Sequence, residues 1–203
     1  MTTWKVAMTA PRLALLVCMS LPSLATAQDM GLSRAVELPA HRVLMETKRG
    51  TALAPFETDG CSGGMSTIWS TIAVQFPDFA KVHGALPPWE ACCQVHDVTY
   101  HRAGDATDAP ASFEARKQAD EALRACVVDT GERDLPRIAE AYGVSEDLLR
   151  QTYRGIGDAM YLAVRFGGGP CSGLPWRWGY GYPGCSVLLG ADSAIAEPDE
   201  PDE

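Results

Sequence analysis

The sequence predicts a mostly α-helical domain stapled by disulfides. Three observations carry that expectation. Its 203 residues, 46% of them apolar, suffice for one ordinary domain with a buried core. The segment 66–79 carries an apolar stripe at helical spacing, and further helix signals follow near residues 88, 112 and 134. Seven cysteines are more than a reducing compartment usually keeps in a chain of this size. Other classes are disfavoured. A formal charge of −9 leaves no basic surface for phosphates, which argues against a nucleic-acid partner. Five Trp, six Tyr and five Phe argue against a disordered polymer. Beyond the N-terminus no apolar run is long enough to span a membrane.

Residues 1–27 read as a secretory leader. Lys5 and Arg12 form a positive start, Leu13 to Leu24 a short apolar stretch, and Ala25-Thr26-Ala27 a site for cleavage before Gln28. Removing it makes the formal charge more negative by two and removes Cys18. Cys61, Cys92, Cys93, Cys126, Cys171 and Cys185 remain, enough for three disulfides; 15 pairings are open to six cysteines.

Residues 28–190 form the domain and 191–203 an acidic tail, which ends in a Pro-Asp-Glu repeat with no core-forming residue. Residues 28–56 are mixed, with a turn at Lys48-Arg49-Gly50. A glycine-rich loop covers 57–64. Ile68, Trp69, Ile72, Ala73 and Phe76 form the stripe of a helix over Ser66–Phe79 that Pro77 ends. Pro87-Pro88 opens a second helix reaching Arg102. After a turn-rich break at 104–110, Ser112 opens a third that runs to about Val128. Helix resumes over Asp134–Arg165, interrupted near Gly143. Residues 167–185 are dense in Gly, Pro and Trp and read as ordered irregular structure; Cys171 and Cys185 are the nearest pairing there.

The chemistry lies in residues 92–100, Cys-Cys-Gln-Val-His-Asp-Val-Thr-Tyr. On a helix Cys93, His96, Asp97 and Tyr100 share a face, which sets an imidazole, a carboxylate and a phenol side by side. Asp120 sits among Ala119, Ala122, Leu123 and Cys126, so an inward carboxylate there needs a partner. His96 is the obvious one. A carboxylate on one imidazole nitrogen fixes the tautomer and leaves the other as a base. His41, His83 and His101 are isolated and read as surface residues. Trp69 and Trp89 read as core. The segment Pro175–Tyr180 is either a membrane-contacting or acyl-binding element or a loop packed over the core.

Cys-Cys-x-x-His-Asp-x-x-Tyr resembles the active-site helix of the secreted phospholipases A2, whose pattern is Cys-Cys-x-x-His-Asp-x-Cys-Tyr. The resemblance covers Asp59 to Cys126, about a third of the chain, and extends to Cys61, Asp120 and Cys126. Where the family has a further cysteine before the tyrosine, this chain has Thr99, and its partner's place is taken by Ala119, so both ends of one bridge are missing together. Ser62 stands where many relatives have glycine, the stretch from Cys61 to Cys93 is longer than in the animal enzymes, and residues 130–203 have no assigned counterpart. The short connection from Asp97 to Asp120 is similar to that of the compact bacterial and fungal branch.

The resemblance implies two antiparallel active-site helices and a calcium loop. It implies bridges Cys61–Cys93 and Cys92–Cys126, leaving Cys171–Cys185. It implies His96, Asp120 and Tyr100 as catalytic residues, and Ca2+ held by Asp97 with the carbonyls of Gly60, Ser62 and Gly64. The expected activity is hydrolysis of the sn-2 ester of glycerophospholipids by an activated water, at a membrane or micelle surface, by a secreted or periplasmic protein. The alternative within this fold is a catalytically weak or inactive calcium- or lipid-binding protein. Outside it stands a disulfide-stapled interaction protein with a chance motif.

Overall fold

The structure, a computed structural model, describes residues 22–61 and 64–186, with side chains from Ser33 onward. Ser62 and the tail 191–203 lie outside the described residues, as does most of the expected leader. The chain divides into two units between Ala35 and Val36, and the sites below belong to the second. Among the described residues six α-helices run in order: α1 (Pro22–Gly50), α2 (Met65–Gln75), α3 (Pro77–His83), α4 (Glu90–His101), α5 (Ala109–Tyr142) and α6 (Glu146–Gly167). Among the described residues there is no strand, and no helix is long and apolar enough to cross a membrane.

Two expectations about helix extent are corrected. Residues 28–50 are not a mixed lead with a turn: they continue α1, and Lys48 and Arg49 sit in its last turn, where positive charge suits the carbonyl end. His41, Leu44 and Met45 on its inner side are buried. The third helix does not stop near Val128. It starts at Ala109, capped by Asp108, whose carboxylate accepts the Ala111 amide at 2.8 Å, and continues to Tyr142 through Pro136. A mid-helix proline costs about 3 kcal/mol. Burial of Leu135 and Ile138 on either side of it offsets that cost. Tertiary packing thus overrides a local stop signal.

Helix α6 lies tightly against α5 because Gly131 has no side chain: a Cβ there would fall 2.2 Å from Cγ of Tyr153. Trp89, Leu123, Val127, Ile138 and Tyr153 form the core at this interface. A second cluster gathers Leu44, Tyr100, Trp178 and Tyr182. Phe76 caps α2 and Pro77 starts α3: the helix expected over Ser66–Phe79 ends at the proline, as its missing N–H requires, and a second short helix follows it.

Among the described residues three disulfides form: Cys61–Cys93, Cys92–Cys126 and Cys171–Cys185. The first ties the glycine-rich loop to α4 and the second ties α4 to α5. Contacts between α4 and α5 run in opposite order, with Cys92 on Cys126, His96 on Asp120 and Arg116 on Tyr100, so the two helices are antiparallel. The third closes the irregular segment after α6. That segment satisfies the carbonyl end of α4: the amides of Gly179 and Gly181 donate to Tyr100 and His101 at 2.7 and 3.1 Å.

Candidate active site

Helix spacing alone puts His96, Asp97 and Tyr100 on one side of α4, and all three are buried. Asp120 enters from α5 and is completely buried. His96 Nε2 is 3.0 Å from Asp120 Oδ1, and the Tyr100 hydroxyl donates to the same oxygen at 2.6 Å. The His96 and Tyr100 rings lie 4.1 Å apart. Arg116 Nε in turn donates to the Tyr100 hydroxyl at 3.3 Å. Burial, with the Asp120 charge beside it, pushes the Tyr100 phenol well above its ordinary range, so the hydroxyl stays a donor. With Nε2 engaged by Asp120, Nδ1 is the ring nitrogen left for a base, 4.0 Å from Asp97 Oδ1.

Asp97 is the most perturbed carboxyl of the site. Desolvation pushes it up to about 6; the Thr58 hydroxyl, donating to Oδ2 at 2.6 Å, and His96 offset part of this, while Asp59 and Glu90 add to it. Such a carboxylate favours a cation. Among the described residues no three His, Cys, Asp or Glu side chains converge as a metal site. A hard cation here would therefore take Asp97 together with loop oxygens, the mixture calcium accepts.

The loop is built by close contacts. Gly60 has φ +73°, and a Cβ on it would lie 1.9 Å from Glu90 Oε1, so only glycine fits. Its amide donates to Thr58 Oγ1 at 3.0 Å. The Cys61 amide donates to Ser66 Oγ at 2.9 Å, and Ser66 donates to Glu90 at 2.7 Å. Gly64 stands apart. It opens α2, and its carbonyl accepts the Ile68 amide at 2.8 Å, so one lone pair of that expected ligand is already used.

Two clefts meet at Asp97 and Trp176. One, of about 540 Å³, is lined by His96, Asp97 and Tyr100 and by the apolar Met65, Leu123 and Met160. The other, of about 690 Å³, is lined by Glu57, Thr58, Asp59, Pro175 and Tyr180 in addition to the two shared residues. The two tryptophans of the Pro175–Tyr180 segment have different surroundings. Trp176 lines both clefts and is 37% exposed. Trp178 is completely buried, edge-on to Tyr100, with Nε1 donating to Ser112 at 2.9 Å.

Two of the three histidines expected at the surface are core residues. His41 is fully buried, with Nδ1 2.8 Å from Ser112 Oγ, and burial pushes its pKa down. His101 is 2% exposed, edge-on to Phe56 and Tyr180. His83 is half-buried, stacked on Tyr142 with a 2.8 Å contact to its hydroxyl. Ser112, expected to open α5, is instead a buried bridge between His41 and Trp178. Of the tryptophans expected in the core, Trp89 is buried and Trp69 is half-buried against it.

Sequence reasoning missed Thr58, Arg116, Arg165 and Glu37. Arg116 stands four residues before Asp120, a spacing that puts both on one face of α5 and could have flagged it. Arg165 Nη1 donates to Asp120 Oδ2 at 3.0 Å, and Glu37 pairs with both arginines. No local signal in the sequence links these segments. No family model, curated protein or solved structure matches the chain.

Proposed function

We propose that this protein is an exported, calcium-dependent phospholipase A2 that hydrolyses the sn-2 ester of glycerophospholipids. One observation carries the reading: His96 is held by Asp120 on Nε2 while Nδ1 stands beside Asp97 in an apolar-walled cleft. Nδ1 takes a proton from water as that water attacks the ester carbonyl, and returns it to the departing glycerol oxygen as the tetrahedral intermediate collapses to fatty acid and lysophospholipid. Asp120 holds the imidazole in the required tautomer and stabilises its charged form, and Tyr100 anchors Asp120. Asp97, with loop oxygens such as the Gly60 carbonyl, would hold the cation; bound there, calcium supplies positive charge against the developing oxyanion. Met65, Leu123 and Met160 offer the acyl chain an apolar wall. Ile68 and Val74 of α2 and Phe76 at its C-terminal cap are well exposed and supply apolar surface for a membrane or micelle. Paired cysteines support an oxidising compartment.

The test is hydrolysis of a phospholipid labelled in the sn-2 chain by the oxidised protein, with calcium and with chelator. Calcium-dependent release of the labelled fatty acid is expected. Release from sn-1, or release unaffected by chelator, would overturn the assignment. Calcium binding without release would make the protein a binding module.

A further inference from the structure

We propose that Arg165, near the end of α6, is a positioning residue for the His96–Asp120 pair and that Glu37 of α1 fixes it in place. Asp120 Oδ1 is fully used by His96 and Tyr100, both from α4. Its other oxygen, Oδ2, accepts Arg165 Nη1 at 3.0 Å. A buried carboxylate gripped on one oxygen from α4 and on the other from α6 has no freedom to turn about its last side-chain bond. That orientation decides whether Oδ1 stays on Nε2, and so which imidazole nitrogen faces the cleft.

Arg165 is itself held at both ends. Its second terminal nitrogen pairs with Glu37, whose other oxygen pairs with Arg116. Arg116, completely buried, donates through Nη2 to the carbonyls of Val164 and Arg165 at 2.9 and 2.8 Å. It thereby caps the last turn of α6 and fixes the backbone that carries Arg165. Two guanidinium groups and two carboxylates alternate through α1, α5 and α6, and the phenol of Tyr100 joins the chain to α4. Well-satisfied networks of this kind hold a single arrangement, and losing one member leaves the others unpaired. The contacts place the second support of the site in a part of the chain outside the resemblance.

The kinetic part of the test rests on the activity proposed above; the spectroscopic part does not. In the full chain with 15N-labelled histidine, the Nε2 proton held against Asp120 is followed by NMR and assigned by its loss in His96→Gln. Arg165→Met should shift or broaden that resonance. On sn-2-labelled phospholipid it should lower kcat about 10- to 100-fold, with KM changed by less than about twofold. Arg165→Lys should recover part of the rate. An arginine that served stability alone would lower the melting temperature yet leave the resonance and the turnover of folded protein unchanged, and that result overturns the proposal. Should Arg165→Met not fold, Arg165→Lys decides: its single ammonium does not reproduce the two-sided grip, so a shifted resonance supports the role and an unchanged one overturns it. A resonance that moves in a protein without phospholipase activity refutes the activity and keeps the positioning role. An unmoved resonance in an active protein does the reverse.

Discussion

Replacing Asp97 by asparagine should stabilise the calcium-free protein while removing its calcium binding. Asp97 is 8% exposed, and desolvation pushes its carboxyl from 3.8 up to about 6. The ionised form is therefore disfavoured in the fold by about 3 kcal/mol relative to a solvated carboxylate. The folded state holds this proton more tightly than the unfolded one, so the stability that Asp97 contributes declines as pH rises from about 4 to about 6 and levels off above. Asparagine carries no such charge, and its carbonyl still accepts from Thr58. At pH 8 without calcium, Asp97→Asn should gain up to about 3 kcal/mol, a rise of roughly 6–12 °C in melting temperature for a domain of this size. At pH 4 the gain should nearly vanish. Calcium at about 100 times its Kd should return about 2.7 kcal/mol to the wild type and nothing to the variant. Thermal melts of both proteins at pH 4 and 8, with calcium and with chelator, measure every term. A variant less stable than wild type at pH 8, or a difference that does not change with pH, would refute this account of Asp97.

Three further outcomes are expected. His96→Gln should abolish ester hydrolysis and leave calcium binding intact by titration calorimetry, because the cation is assigned to Asp97 and loop oxygens; loss of binding would contradict that division. Tyr100→Phe removes a buried hydroxyl that serves both Asp120 and Arg116, so denaturant unfolding should show a loss of about 1–3 kcal/mol. Leu123→Ala opens a cavity at the α5–α6 interface beside the cleft, with about 2–5 kcal/mol lost and the sharpest kinetic penalty on long acyl chains.

Much of the site is legible in a few residues of sequence. The spacing of His96, Asp97 and Tyr100 fixes a shared face wherever α4 forms, and an aspartate set among alanines and leucine in α5 announces a buried acid seeking a partner. The glycine loop is legible because positive φ and close approach demand glycine, as at Gly60. What short spacing does not encode is which distant segment closes over that face. The length of α5 depends on the packing of Leu135 and Ile138 beyond a proline, and the continuity of α1 on the core it joins. His41 and His101 look like any exposed histidine until the helices around them are assembled. Trp176 and Trp178, two residues apart, separate into a cleft wall and a core anchor only when the segment after α6 docks on α4. The helix period and the shared face of His96, Asp97 and Tyr100 belong to the sequence, because they act over one or two turns. The placement of Arg165 and Glu37 against Asp120 belongs to the tertiary structure, because a buried charge takes its counter-charge from whatever the packed helices bring within hydrogen-bond reach.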